Sequence, residues 1–98
     1  MRDEEGWKMF LDLCLEAKKS SRLEELFRLF LTVEETEHLS ARMQIIKALL
    51  SEKLSQREIS DEMKVSISQI TRGSNALKII SDDLLRFLEN YVRRHEKK

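Results

Sequence analysis

The side chains with the most specific chemistry lie between Leu54 and Lys78. The run Leu-Ser-Gln-Arg-Glu-Ile-Ser-Asp-Glu-Met-Lys-Val-Ser-Ile-Ser-Gln-Ile-Thr-Arg-Gly-Ser-Asn-Ala-Leu-Lys holds a short capped helix, a turn at 64–66 and a second capped helix. Ile59, Met63, Val65 and Ile70 fall where two steeply crossing helices bury their contacts. Ser66, Ile67, Ser68, Gln69 and Thr71 open the second helix with small and amide groups that suit base edges. Gln56 and Arg57 at the start of the first helix, and Lys78 at the far end of the second, suit phosphate. The spacing is that of a helix-turn-helix over about residues 55–78, which points to double-stranded DNA. A plain helical hairpin on the surface is the competing explanation. Against the motif stands Lys64, at the turn position that glycine usually fills. A left-handed lysine costs on the order of 1 kcal/mol.

Other chemistries find little support. His38 and His95 are isolated, and no Cys/His or carboxylate pair has metal-ligand spacing. Cys14 sits on an apolar helical face, as an inert buried thiol does. No glycine-rich loop precedes a helix as a phosphate cradle requires. The expectation is a protein that is not an enzyme and carries no metal.

The elements that must position these residues are marked by their starts. Ser or Thr followed three residues later by Glu or Gln occurs at Ser21–Glu24, Thr32–Glu35, Ser55–Glu58 and Ser66–Gln69. Each pairing lets a hydroxyl and a longer side chain satisfy orphan backbone N–H groups reciprocally. Ser81, followed by Asp82 and Asp83, gives a further start. Apolar residues recur between the caps at helical spacing. Trp7, Phe10, Cys14 and Ala17 form one face, and Leu23, Leu26, Phe27 and Phe30 a second. Leu39, Met43, Ile46 and Leu50 line a long third helix that Ile45 and Leu49 widen. Ile59 and Met63, then Ile70 and Leu77, then Leu84, Leu88 and Tyr91 mark three more.

The 98 residues allow one domain, taken as 1–98, with charged ends at 1–5 and 93–98 expected to fray. Two glycines and no proline argue against an all-β chain of many tight turns, and an all-α fold of six short helices is expected. The apolar faces exceed what helices this short can cover on their own, so a homodimer is expected. Net charge is zero, but residues 1–40 carry six basic against ten acidic groups and the remainder twelve against eight. An anionic partner is therefore expected on the second part. The lone Cys14 argues for a reducing cytoplasm, and the acidic start lacks the apolar core of a signal peptide. No apolar run exceeds three residues, against the roughly 20 a membrane span needs.

The run Gln56-Arg57-Glu58 through Ile70-Thr71-Arg72-Gly73-Ser74-Asn75 resembles the tryptophan repressor family. Leu29-Phe30-Leu31-Thr32, Glu35 and Arg42 fall at that family's separation without a gap, and the similarity spans about residues 7–92. The resemblance implies an intertwined homodimer that binds a palindromic operator of tryptophan-related genes when L-tryptophan, the corepressor, is bound. It implies that Arg42 and Arg72 stack on the indole ring and that Arg72, helped by Thr32, grips the carboxylate. The carbonyls of Leu29 and Leu31 would accept from the amino group, with Glu35 beside them, and Gly73 would let the ring approach the backbone.

Three positions depart from the family pattern. Ala76 stands where the family has a serine that meets the amino group, Ser60 where it has a phosphate-contacting lysine, and Ser66 where it has a turn glycine. The missing hydroxyl at Ala76 should cost about 0.5–1.5 kcal/mol of ligand binding. Two other readings stand beside the repressor: a helix-turn-helix regulator that senses another indole or none, and a helical dimer used only for protein interaction. Arg42, Arg72 and Gly73 favour tryptophan.

Overall fold

A computed structural model describes residues 3–96 and contains six α-helices within them. They are α1 (Asp3–Ala17), α2 (Ser20–Phe30), α3 (Val33–Ser51), α4 (Gln56–Met63), α5 (Ile67–Ile79) and α6 (Asp82–Glu96). Three of the four expected capping boxes are present. The Thr32 N–H donates to Glu35 Oε1 at 2.8 Å and the Glu35 N–H returns to Thr32 Oγ1 at 3.1 Å. Ser55 and Glu58 make the same exchange at 2.8 and 3.2 Å, and Ser66 and Gln69 at 3.0 and 3.1 Å. Ser81 caps α6 through the Leu84 N–H at 3.1 Å.

The fourth box is a correction. α2 starts at Ser20 behind Lys19, so Ser21 lies inside the first turn rather than ahead of it. Glu24 instead pairs with Arg28 at 3.1 Å, one turn along the exposed surface. The ends also differ from expectation. Residues 3–5 and 93–96 are helical, while residues 1, 2, 97 and 98 lie outside the described residues. Asp3, Glu4 and Glu5 complement the positive end of α1, and Arg93, Arg94 and His95 the negative end of α6. Arg93 also donates to Asn90 at 3.0 Å, and the His95 ring stacks on Tyr91 with centroids 4.1 Å apart.

The chain divides into two compact units, residues up to His38 and residues from Leu39 onward. In the first, α1 packs on α2. Phe10 stacks on Trp7 at 6.0 Å and on Phe27 at 5.9 Å, and meets Phe30 edge-on at 5.2 Å. Of the expected α1 face, Ala17 is buried, Phe10 and Cys14 are half-buried, and Trp7 remains exposed. An open cleft between α2 and the start of α3 is lined by Leu23, Phe27, Leu31 and Val33 with polar groups at its rim.

The second unit is built on Ile45 of α3, Ile59 of α4 and Ile70 of α5, with Ala48, Leu49, Leu54, Met63 and Val65 packed around them. Ile59 and Ile70 are fully buried, which fixes how α4 and α5 cross. α3 and α6 are tied at their C-terminal ends by a hydrogen bond from Ser51 Oγ to Glu96.

Candidate nucleic-acid interface and ligand site

The connection between α4 and α5 is three residues long and does use a left-handed lysine. Lys64 has φ 56° and ψ 44°, and its N–H caps α4 by donating to the Ser60 carbonyl. No glycine adopts positive φ among the described residues, whereas Lys18, Glu52 and Lys64 all do. These are the residues that follow α1, α3 and α4. Two further bonds hold the turn. Ser60 Oγ donates to the Val65 carbonyl at 2.7 Å, and the Val65 N–H returns to the Ser60 carbonyl at 3.3 Å. Ser60, one of the two serines that depart from the family pattern, is therefore part of the turn itself. Ser66, with φ −75°, needs no glycine there.

That turn directs the start of α5 outward. Ile67 is 49% exposed, and Ser68, Gln69 and Thr71 are exposed beside it, whereas Ile70 between them is buried in the core. Gln56 and Arg57 occupy the exposed first turn of α4, and Lys78 is exposed in the last turn of α5. The eight residues expected to meet DNA thus all belong to one helix-turn-helix with solvent-facing side chains. Two of them also have structural duties. The Ser66 hydroxyl accepts from the Gln69 N–H, and Gln69 Oε1 accepts from the Ser66 N–H.

The residues expected at the ligand divide between the units. Leu29, Leu31, Thr32 and Glu35 cluster at the junction of α2 and α3. Leu29 is exposed and Leu31 half-buried, with the Leu31 N–H closing α2 onto the Phe27 carbonyl at 2.8 Å. The last carbonyls of α2 lie beyond the intrahelical ladder, where the negative end of a helix favours a cation such as an ammonium group. Thr32 and Glu35 are engaged with each other as the α3 cap.

Arg42, Arg72, Gly73 and Ala76 belong to the second unit. A Cβ placed on Gly73 would lie 3.1 Å from Ile45 Cγ2 and 3.6 Å from Leu49 Cδ1. Gly73 therefore faces α3 at close range, and helix packing is by itself a sufficient reason for the glycine. Arg42 lies one turn before Ile45, and Arg72 immediately precedes Gly73. Both arginines are exposed, on the two helices that meet at this crossing, and Ala76 follows one turn later, half-buried. The sequence missed two features here, the Ser60 latch on the turn and the Ile45 contact of Gly73. Neither a lone serine nor a lone glycine names its partner.

The sequence model described as "Trp repressor protein" matches residues 5–92, which takes in α2 to α5 whole and most of α1 and α6. The chain belongs to the Trp repressor family. It is similar to a Trp operon repressor homolog of Chlamydia caviae, 47% identical over 93 residues that cover 95% of this chain and 92% of that protein. A Trp operon repressor homolog of Chlamydia trachomatis serovar D is 45% identical over 91 residues, covering 93% and 97% respectively. One from Histophilus somni is 35% identical over 96 residues, covering 98% and 91%. Family membership makes the protein a tryptophan-responsive transcriptional repressor and not an enzyme. No helix among the described residues is long and apolar enough to cross a membrane.

Proposed function

We propose that the protein acts as a homodimer that binds a palindromic operator of tryptophan-related genes through α4 and α5, with L-tryptophan as its corepressor. The observation that carries this reading is the outward-facing start of α5, held by buried Ile70 and by the Ser60 latch, within a chain of this family. α5 enters the major groove, and Gln56, Arg57 and Lys78 meet phosphates on either side.

Dimerisation is supported by what a single chain leaves uncovered. Five hydrophobic residues are buried among the described residues, whereas fifteen large ones are exposed, including Trp7, Leu15, Leu29 and Phe87. A soluble monomer rarely shows so much apolar surface. Pairing two chains would cover it.

Tryptophan binds with its indole between Arg42 and Arg72, its carboxylate on Arg72 and Thr32, and its ammonium at the end of α2 by Leu29, Leu31 and Glu35. Gly73 and Ala76 border the ring. A ligand switches an equilibrium only by preferring one of its states. Here that state sets the two α5 helices about one DNA turn apart, roughly 34 Å, as in helix-turn-helix dimers generally, of which Trp repressors are an example. The free thiol and the absence of a disulfide framework suit a cytoplasmic regulator.

The test is calorimetry with L-tryptophan and with indole-3-propionate, combined with operator binding by gel shift and sedimentation of the free protein. Tryptophan-dependent operator binding by a dimer is expected, and Arg72→Ala should abolish it while the dimer persists. Wild-type isotherms from Arg72→Ala would remove the arginine from the site, and a stable monomer at micromolar concentration would overturn the assembly.

A further inference from the structure

Gln69 is both the third residue of α5 and the amide group best placed to meet a base, and the two roles make competing demands on one side chain. Its Oε1 accepts from the Ser66 N–H at 3.0 Å and lies 3.3 Å from Ser66 Oγ, whose hydroxyl hydrogen has the same oxygen within reach. A backbone N–H only donates, so the amide must be oriented with its oxygen toward Ser66 and its NH₂ away from it. Both donors on Ser66 therefore draw the carbonyl oxygen inward, the N–H at 3.0 Å and the hydroxyl at a longer 3.3 Å. What the exposed end of Gln69 offers a partner is Nε2 with its N–H donors.

This changes which base the residue can read. A glutamine with both ends available pairs with adenine, donating to N7 and accepting from N6. A glutamine that can only donate gains nothing from the adenine amino group, while guanine presents two acceptors, N7 and O6, on the same edge. We propose that Gln69, with its carbonyl oxygen held in the α5 capping box, reads the operator as a hydrogen-bond donor alone and so selects guanine over adenine at its base pair. The inference rests on the operator-binding role of α5 and adds a specificity determinant to it. Releasing the oxygen would give the adenine pairing at the expense of the cap. The backbone thus fixes the readout of a side chain that is otherwise ambivalent.

The discriminating variant is Gln69→Glu. A glutamate keeps one oxygen for Ser66, as Glu58 does for Ser55 in α4, and turns the outward NH₂ into an acceptor. An outward acceptor pairs with the cytosine amino group. The full-length wild type, Gln69→Glu and Gln69→Ala would each select binding sites from a randomised duplex library with L-tryptophan present, and thermal melts followed by circular dichroism would check folding. The expected result is one base pair per half-site that is guanine for the wild type and shifts to cytosine for Gln69→Glu, with each protein preferring its own site on the order of tenfold. Gln69→Ala should lose preference at that pair and keep it elsewhere. Adenine at the pair that responds to Gln69, or an operator on which no pair responds, would overturn the donor-only readout while leaving the operator-binding role intact. No site selected by the wild type would overturn that role, and the readout with it.

Discussion

Replacing Gly73 by alanine separates two reasons for a glycine in the middle of α5. On helix propensity alone the change stabilises, because glycine costs about 1 kcal/mol relative to alanine in a helix interior. The structure opposes this with the new methyl at 3.1 Å from Ile45 Cγ2, well inside the separation at which carbon atoms attract. Ile45 is only 3% exposed, and a β-branched side chain in a helix is largely confined to one rotamer, so Cγ2 cannot swing aside. Overpacking of this kind costs typically 1–3 kcal/mol, which outweighs the propensity gain. Gly73→Ala should therefore destabilise the ligand-free protein by about 1 kcal/mol. The second half of the argument is the double variant with Ile45→Leu, which moves the branch from Cβ to Cγ and removes the clashing methyl at nearly constant volume. The pair should recover most of the loss, giving a coupling of about 1 kcal/mol. Urea unfolding at one fixed protein concentration reads these quantities, with tryptophan titrations run alongside. If Gly73→Ala is instead more stable by about 1 kcal/mol yet binds tryptophan poorly, the α3–α5 contact is not the constraint and the glycine serves the ligand alone.

Ser60→Ala removes the bond that ties α4 to the Val65 carbonyl and should cost about 1 kcal/mol in urea unfolding, with operator affinity falling as the turn loosens; unchanged stability would show that the latch contributes nothing. Lys64→Gly relieves a left-handed lysine worth about 1–2 kcal/mol of strain, less the extra chain entropy of glycine, so a net gain of about 0.5–1 kcal/mol is expected. A loss there would mean the side chain makes contacts that outweigh its backbone cost. Lys78→Ala should weaken specific and scrambled duplexes alike and lower the salt slope by about one ion per subunit, as gel shifts at two salt concentrations would show. A loss confined to the specific duplex would place Lys78 on a base.

The structural role of Gln69 sets a condition on such measurements. Alanine there removes the oxygen that accepts from the Ser66 N–H as well as any base contact, and losing one such hydrogen bond costs about 0.5–1.5 kcal/mol. Glutamate is the cleaner replacement because it keeps the cap.

What could be read along the chain was local in origin. The Thr32, Ser55, Ser66 and Ser81 caps depend on residues three positions apart, and α4 and α5 follow from those caps and from the spacing of Ile59, Met63, Val65 and Ile70. The family could likewise be read in the Thr71-Arg72-Gly73-Ser74-Asn75 run, which the match over residues 5–92 supports. The Ser21–Glu24 pattern shows the limit of such rules, since the same spacing is satisfied one residue inside a helix that starts at Ser20. Tertiary structure decided whatever depends on a partner distant in sequence. It set Ile45 against Gly73 and joined Ser51 of α3 to Glu96 of α6. The physical reason is that a cap is satisfied within one turn of chain, whereas the helix that comes to lie over a given residue is chosen by the packing of all the apolar faces together.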